Sequence, residues 1–225
     1  MTVRTGLRWC RRRRRPGIAV ALLVGVLALT ACGAPAYTYV TNSTDHTYLK
    51  VPAAWAEIDQ AQLDPSNAGK DRGFWVEGYD AASPPTSQHL FGATSDAPAL
   101  LVAVQAVPAA IRGQVSFDGM RDFFYPVSAS ARQMAGMTAQ TATLSDFGLV
   151  SDETLTPGHG LRGVHSVYSY RIAGGPPQLF DQTVYVNDDS SKLYLFFVRC
   201  SADCYKQRAR EISNVVSSFT VRETP

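Results

Sequence analysis

The sequence predicts an α+β fold, a central antiparallel β-sheet with helices on both faces, and three observations carry that reading. Segments 162–172, 179–186 and 193–198 read as consecutive strands, with Gly174-Gly175-Pro176-Pro177 and Asp188-Asp189-Ser190-Ser191 as the tight turns between them. In the first, Val164, Tyr168, Tyr170 and Ile172 alternate with the polar His165, Ser169 and Arg171, a period of two. The third is apolar at both parities, Leu193, Leu195 and Phe197 against Tyr194, Phe196 and Val198, so both faces of that strand must be covered. Two amphipathic stretches supply the cover: Phe117, Met120, Phe124, Val127, Ala131 and Met134 step by three and four, as do Ala209, Ile212, Val216 and Phe219.

Taken along the chain, residues 1–31 read as a leader. Arg4, Arg8 and Arg11 to Arg15 precede an apolar run, Ile18 to Leu29, too short to span a bilayer and of the length of a cleaved signal. Leu29-Thr30-Ala31-Cys32 has the form of a bacterial lipoprotein cleavage site, with Cys32 as the residue that takes the lipid. Ordinary secretory cleavage is the rival, and it needs no cysteine there. Residues 32–36 are then a lipidated N-terminus and short tether, since only Gly33 to Ala36 precede the alternating Tyr37-Thr38-Tyr39-Val40. Four residues span at most about 14 Å.

The remaining elements fill one domain, 37–221, with 222–225 as a tail. Segments 37–41 and 47–51 flank the polar Asn42-Ser43-Thr44-Asp45-His46 and read as a hairpin; 74–79 is a short aromatic strand; 99–107 is an apolar run suited to a strand buried on both faces. The first helix starts after Ser116, and Pro126 kinks or splits it by removing a backbone donor. The second covers about 202–218, with Ser201 as N-cap. Between strands, residues 80–98 have no periodicity and one apolar pair, Leu90-Phe91. That pair either packs back on the domain or marks a partner-binding loop.

Charge belongs mostly to the leader. It holds seven of the 21 basic side chains and no acid, so residues 32–225 carry 14 basic against 19 acidic groups, a net charge of −5 over 194 residues. A mildly acidic surface without a basic cluster argues against nucleic acid as a partner, because neutralising phosphates takes grouped Lys and Arg. It equally argues against attraction to anionic lipid by charge alone. The membrane partner is reached through acyl chain on Cys32, at about 0.8 kcal/mol per buried methylene.

Beyond Cys10 and Cys32, the cysteines are Cys200 and Cys204, at the end of a strand and in the first turn of a helix. Outside the cytoplasm a disulfide is the expectation for this pair. A metal pair is the alternative, but His46, His89, His159 and His165 are scattered and supply no nearby ligands. No metal set and no cofactor motif is read.

Chemistry is sparse. Gly113-Gln114-Val115-Ser116-Phe117 departs from a nucleophile elbow at its last position, and no phosphate loop or zinc-protease helix occurs. Gly158-His159-Gly160 exposes an imidazole in a turn, a solvated residue by the simplest reading, and Asp45-His46 and Asp188-Asp189 read as solvated loop tips. Two functions of different class remain. One is a membrane-anchored, non-catalytic binding or accessory module for an envelope protein or lipid. The other is an extracytoplasmic hydrolase with a dispersed site, a serine with His159 or His165 and an aspartate.

The opening hairpin followed by Tyr48-Leu49-Lys50-Val51-Pro52-Ala53-Ala54-Trp55, and the closing strand, helix and Ser218-Phe219-Thr220-Val221, resemble PsbP-like domains. The resemblance covers roughly residues 37 to 221 and rests on the order of elements more than on any residue. Within that fold the chain is most similar to LpqN-type envelope lipoproteins of high-GC Gram-positive bacteria, which share the leader and the lipid-bearing cysteine. The resemblance implies a central antiparallel sheet between helices, a non-enzymatic binding or assembly role and, through the LpqN-type members, a link to envelope lipid metabolism and transport. It carries over no functional residue.

Overall fold

The computed structural model describes residues 35–65, 73–137 and 143–222. The leader and Cys32 lie outside the described residues. The chain divides into two units, 1–35 and 36–225, and every element below belongs to the second.

β1 (Tyr37–Asn42) and β2 (Thr47–Pro52) form the expected hairpin, in register from Tyr37 opposite Pro52 to Asn42 opposite Thr47. Its turn is closed by Asn42, whose Oδ1 accepts from the amides of Thr44 and Asp45. β3 (Ala56–Glu57), α1 (Gln60–Leu63) and β4 (Phe74–Asp80) follow, then α2 (Gln88–Phe91) and β5 (Ala99–Ala106). A 3-10 turn at Ala109–Gln114 leads to α3 (Phe117–Arg121) and α4 (Ala129–Gly136). Four long strands come next, β6 (Leu144–Gly158), β7 (Leu161–Ile172), β8 (Pro177–Asn187) and β9 (Lys192–Ser201). α5 (Ala202–Gln207), α6 (Ala209–Val216) and β10 (Thr220–Val221) end the domain.

The strands make two antiparallel sheets: a seven-stranded one, β3-β4-β5-β9-β8-β7-β6, and a small ribbon, β1-β2-β10. The fold is thus α+β and dominated by antiparallel sheet, as the sequence predicts. The hairpin, however, is part of the cover and not of the central sheet. On that side, Leu100, Val102, Phe196 and Val198 meet Val51 and Trp55 from the ribbon segment and Ile212, Val215 and Phe219 from the closing helix. On the opposite side, Leu101, Leu195, Phe197 and Phe180 meet Leu90 and Met120. β9 lies at the middle of the sheet, and its residues from Tyr194 on are buried, alternating between the two clusters.

Three expectations change in detail. Pro126 does split the first helix: Ser116 caps α3 by accepting from Gly119, and Ser128 caps α4 by accepting from Ala131. Between them Phe124 and Tyr125 turn inward onto Phe197 and Phe180. α4 then runs over the surface, and Met134, placed by its spacing in the apolar stripe, is 64% exposed. The closing helix also divides, at Arg208, which turns its apolar side by one position. Val215 is buried where Val216 was expected to be, and Ala209 is exposed. Ser201 caps it as predicted, accepting from Cys204. β6 had no signal in the sequence; it is an exposed edge strand with no buried residue.

The 80–98 segment is pinned from two directions. Leu90 is fully buried, whereas Phe91 is half exposed. Asp80, buried at the end of β4, accepts from the amides of Ala82 and Thr86 and contacts His89 Nδ1 at 2.7 Å. Arg199 of β9, fully buried, donates to the carbonyls of Leu90 and Gly92 and to Gln178. Burial pushes its pKa down from the usual arginine value.

Candidate functional site

At the open end of the hairpin, the register that sets Tyr37 beside Pro52 brings the first residues of the domain against the closing helices. The Ala53 amide donates to the Ala36 carbonyl at 3.0 Å and fixes the chain as it enters. Between this corner and α5–α6 lies a hollow of about 420 Å³. Ala36, Tyr37 and Pro52 form its apolar side. Gln207, the last residue of α5, and Arg210, Glu211 and Asn214 of α6 form its polar side.

Arg208 organises the floor. Its amide closes α5 on the Cys204 carbonyl, and its guanidinium reaches Glu211 one turn on through Nε and Nη2, both at 2.8 Å. Trp55 Nε1 donates to the same carboxylate at 2.7 Å, and the Arg208 guanidinium stands 5.8 Å from the Trp55 ring centre. Glu211 is therefore held by its own neighbours through three of about four acceptor positions. Arg210 is exposed and makes no ion pair among the described residues. At the rim, Lys50 Nζ lies 4.9 Å from the ring centre of Tyr37. With one carboxylate neutralised by one guanidinium, the hollow keeps the charge of Arg210 and an array of N–H donors.

The histidines fall elsewhere. His159 is exposed in a turn with φ of +54°, held between Gly158 and Gly160 of similar sign, as a solvated turn residue would be. His165 Nε2 contacts Asp181 Oδ1 at 2.9 Å, and Tyr205 donates to Asp181 Oδ2 at 2.7 Å. The Asp181 hydrogen bond raises the His165 pKa, with Glu153 and Asp152 adding to it, and burial raises that of Tyr205. The side chains of His89 and His165 bond carboxylates, Asp80 and Asp181; the dispersed hydrolase site needs a serine there. His46 sits in the hairpin turn at positive φ, and Asp45 beside it pairs with Lys192 at 2.8 Å instead of standing free at a loop tip. Asp189 accepts from the Ser191 amide within its turn.

Cys200 and Cys204 are both buried and both free thiols, so the expected bridge is not formed in this structure. The interaction of the two thiols raises Cys200 and lowers Cys204, with Arg208 also favouring the Cys204 thiolate. No group of three or more His, Cys, Asp or Glu side chains is arranged for a metal ion among the described residues. Nor is any described helix long and apolar enough to cross a membrane.

Sequence reasoning missed the hollow and the two residues that order its surroundings, Arg208 and Arg199. The polar residues at 207, 210, 211 and 214 were a signal available in advance, but only the hairpin register shows what faces them.

No family model and no curated protein sequence matches this chain. Among solved structures it is similar to PsbP (CyanoP) of Synechocystis, with 15% identity over 85% of this chain and 95% of that one and a TM-score of 0.49. It is similar to LpqN of Mycobacterium tuberculosis, involved in cell envelope biogenesis, with 13% identity, 84% and 91% coverage and a TM-score of 0.45. It is also similar to the Ran-binding protein Mog1p of Saccharomyces cerevisiae, with 9% identity, 83% and 96% coverage and a TM-score of 0.43.

Proposed function

We propose that the chain is an extracytoplasmic lipoprotein, held at the membrane by lipid on Cys32 and acting there as a non-catalytic binding or accessory module for an envelope protein or lipid. The observation that carries this is Leu29-Thr30-Ala31-Cys32 behind the arginine-led apolar run, four residues before the first strand. The hollow between Tyr37 and α6 supports the binding role, since it gathers donors and a guanidinium, that of Arg210, with no ion pair and no nucleophile–base pair among the described residues. In that compartment Cys200 and Cys204 close to a disulfide by exchange with an oxidised dithiol carrier, which takes up the two electrons and two protons.

Mass spectrometry of the mature protein tests both parts. The expected result is an N-terminal Cys32 peptide carrying acyl chains, and a Cys200–Cys204 pair that alkylates only after reduction. Cys32→Ser should move the protein out of the acylated, lipoprotein-processed form. An unmodified Cys32, with the protein free in the medium, overturns the reading.

A further inference from the structure

We infer that the hollow at the start of the domain is a binding site for the phosphodiester headgroup of a net-anionic membrane lipid, with Arg210 as its principal ligand and Arg208 as the preordered floor. The inference rests on the anchoring proposed above.

Three observations converge on that ligand. The first is charge. Glu211 takes three N–H donors, from Trp55 and twice from Arg208, so its charge is offset by the Arg208 guanidinium and the charge of Arg210 is left over. Arg210 brings a planar fork of donors, the geometry that suits two oxygens of a phosphate. Gln207 and Asn214 add amide donors from the same lining, where glycerol and headgroup hydroxyls would lie. The second is size: about 420 Å³ is room for a headgroup and too little for a pair of acyl chains.

The third is chain length. Ala36 and Tyr37 line the hollow, and only Gly33 to Ala36 separate Cys32 from Tyr37. Four residues span at most about 14 Å, while a headgroup layer is about 5–8 Å deep. An acylated Cys32 therefore keeps the hollow within reach of the headgroups of its own leaflet. The rest of the surface is net acidic, so this contact has to be local and cannot come from a basic face.

The test uses the acylated protein in nonionic detergent, titrated with dihexanoylphosphatidylglycerol below its micelle concentration and followed by the fluorescence of Trp55 and Trp75. Dihexanoylphosphatidylcholine and inorganic phosphate form separate arms. A saturable response to the glycerol lipid is expected, weakened at least about tenfold in Arg210→Glu and less in Arg210→Lys, with the melting temperature of both variants unchanged because Arg210 is exposed and makes no ion pair among the described residues. An equal response to the choline lipid, equally tight binding of inorganic phosphate, no saturable response, or an unaffected Arg210→Glu variant each overturns the site. The acyl mass on Cys32 is read from the same preparation, so failure of the anchor and failure of the headgroup site give different results.

Discussion

β9 and β6 belong to one sheet and share almost nothing. β9 sits between β5 and β8, buried from Tyr194 to Ser201, with Phe197 stacked 4.3 Å from Phe124 on one face and Phe196 5.0 Å from Phe219 on the other. β6 closes one end of the order, fifteen residues long without one buried, and its pairing with β7 slips in three places. Middle strands are held by side chains on both faces. Edge strands are held by backbone hydrogen bonds and by whatever keeps them from pairing further, which here includes the bulges themselves.

The sharpest way to break the contrast is to remove a ring from the middle. Phe197→Ala leaves a void between Phe124, Phe180 and Tyr125, all of which stack on it, and should cost about 3–5 kcal/mol. The measurement is the urea midpoint at unchanged slope. A loss under about 1 kcal/mol would mean that the two-sided burial is not what holds the sheet together.

The same contrast explains what was legible. β9 announced itself because both parities are apolar, and β7 because it alternates; burial writes those patterns, and a strand without burial writes none. That is why β6 was invisible. The split helix was half legible: Pro126 showed where the break falls, but not that the chain would turn Phe124 and Tyr125 inward and leave Met134 outside. Local spacing cannot state which of two successive short helices meets the sheet. The candidate hollow was less legible still. Its donors lie close together in the sequence, yet its other wall comes from residues some 170 positions earlier, and only a long-range register joins them. Arg199 was unreadable for the same reason, since its partners on the 80–98 segment are set by tertiary packing.

Between the middle and the edge lies His165 on β7, bound to Asp181 on β8 and facing Glu153 directly across on β6, with Tyr205 of α5 on the far oxygen of Asp181. Its folded-state pKa is raised, chiefly by the Asp181 hydrogen bond. The protonated form is thus favoured in the folded protein. The stabilisation is fully present below the unfolded histidine value, about 6.5, and is lost as pH rises through the higher folded one. The expected outcome is a melting temperature that declines from pH 6 upward in the parent more than in His165→Gln, by less than the Phe197 substitution costs. Parallel pH curves for the two proteins would show that this pair does not couple β7 and β8 to proton binding.

The smallest effect should come from the edge itself. Leu149 and Val150 are 54% and 65% exposed, and Val150 is the extra residue where the register with β7 shifts between Leu149 and Ser151. Neither side chain has a core to leave, so Leu149→Thr with Val150→Thr should change stability by no more than about 0.5 kcal/mol. Threonine keeps the branching that strands favour, so the backbone pairing has no reason to fail. What the pair of apolar side chains does offer is a place for a second strand. The bulge and the nearby Asp146, Asp152 and Glu153 oppose that use by bending the edge and charging it. Sedimentation of the parent at rising concentration checks the balance: a single monomeric species, unchanged by the double substitution, is expected. Self-association that the two threonines abolish would mean that the bulged edge is a pairing surface, and the contrast with β9 would then be one of unfilled partner and not of exposure.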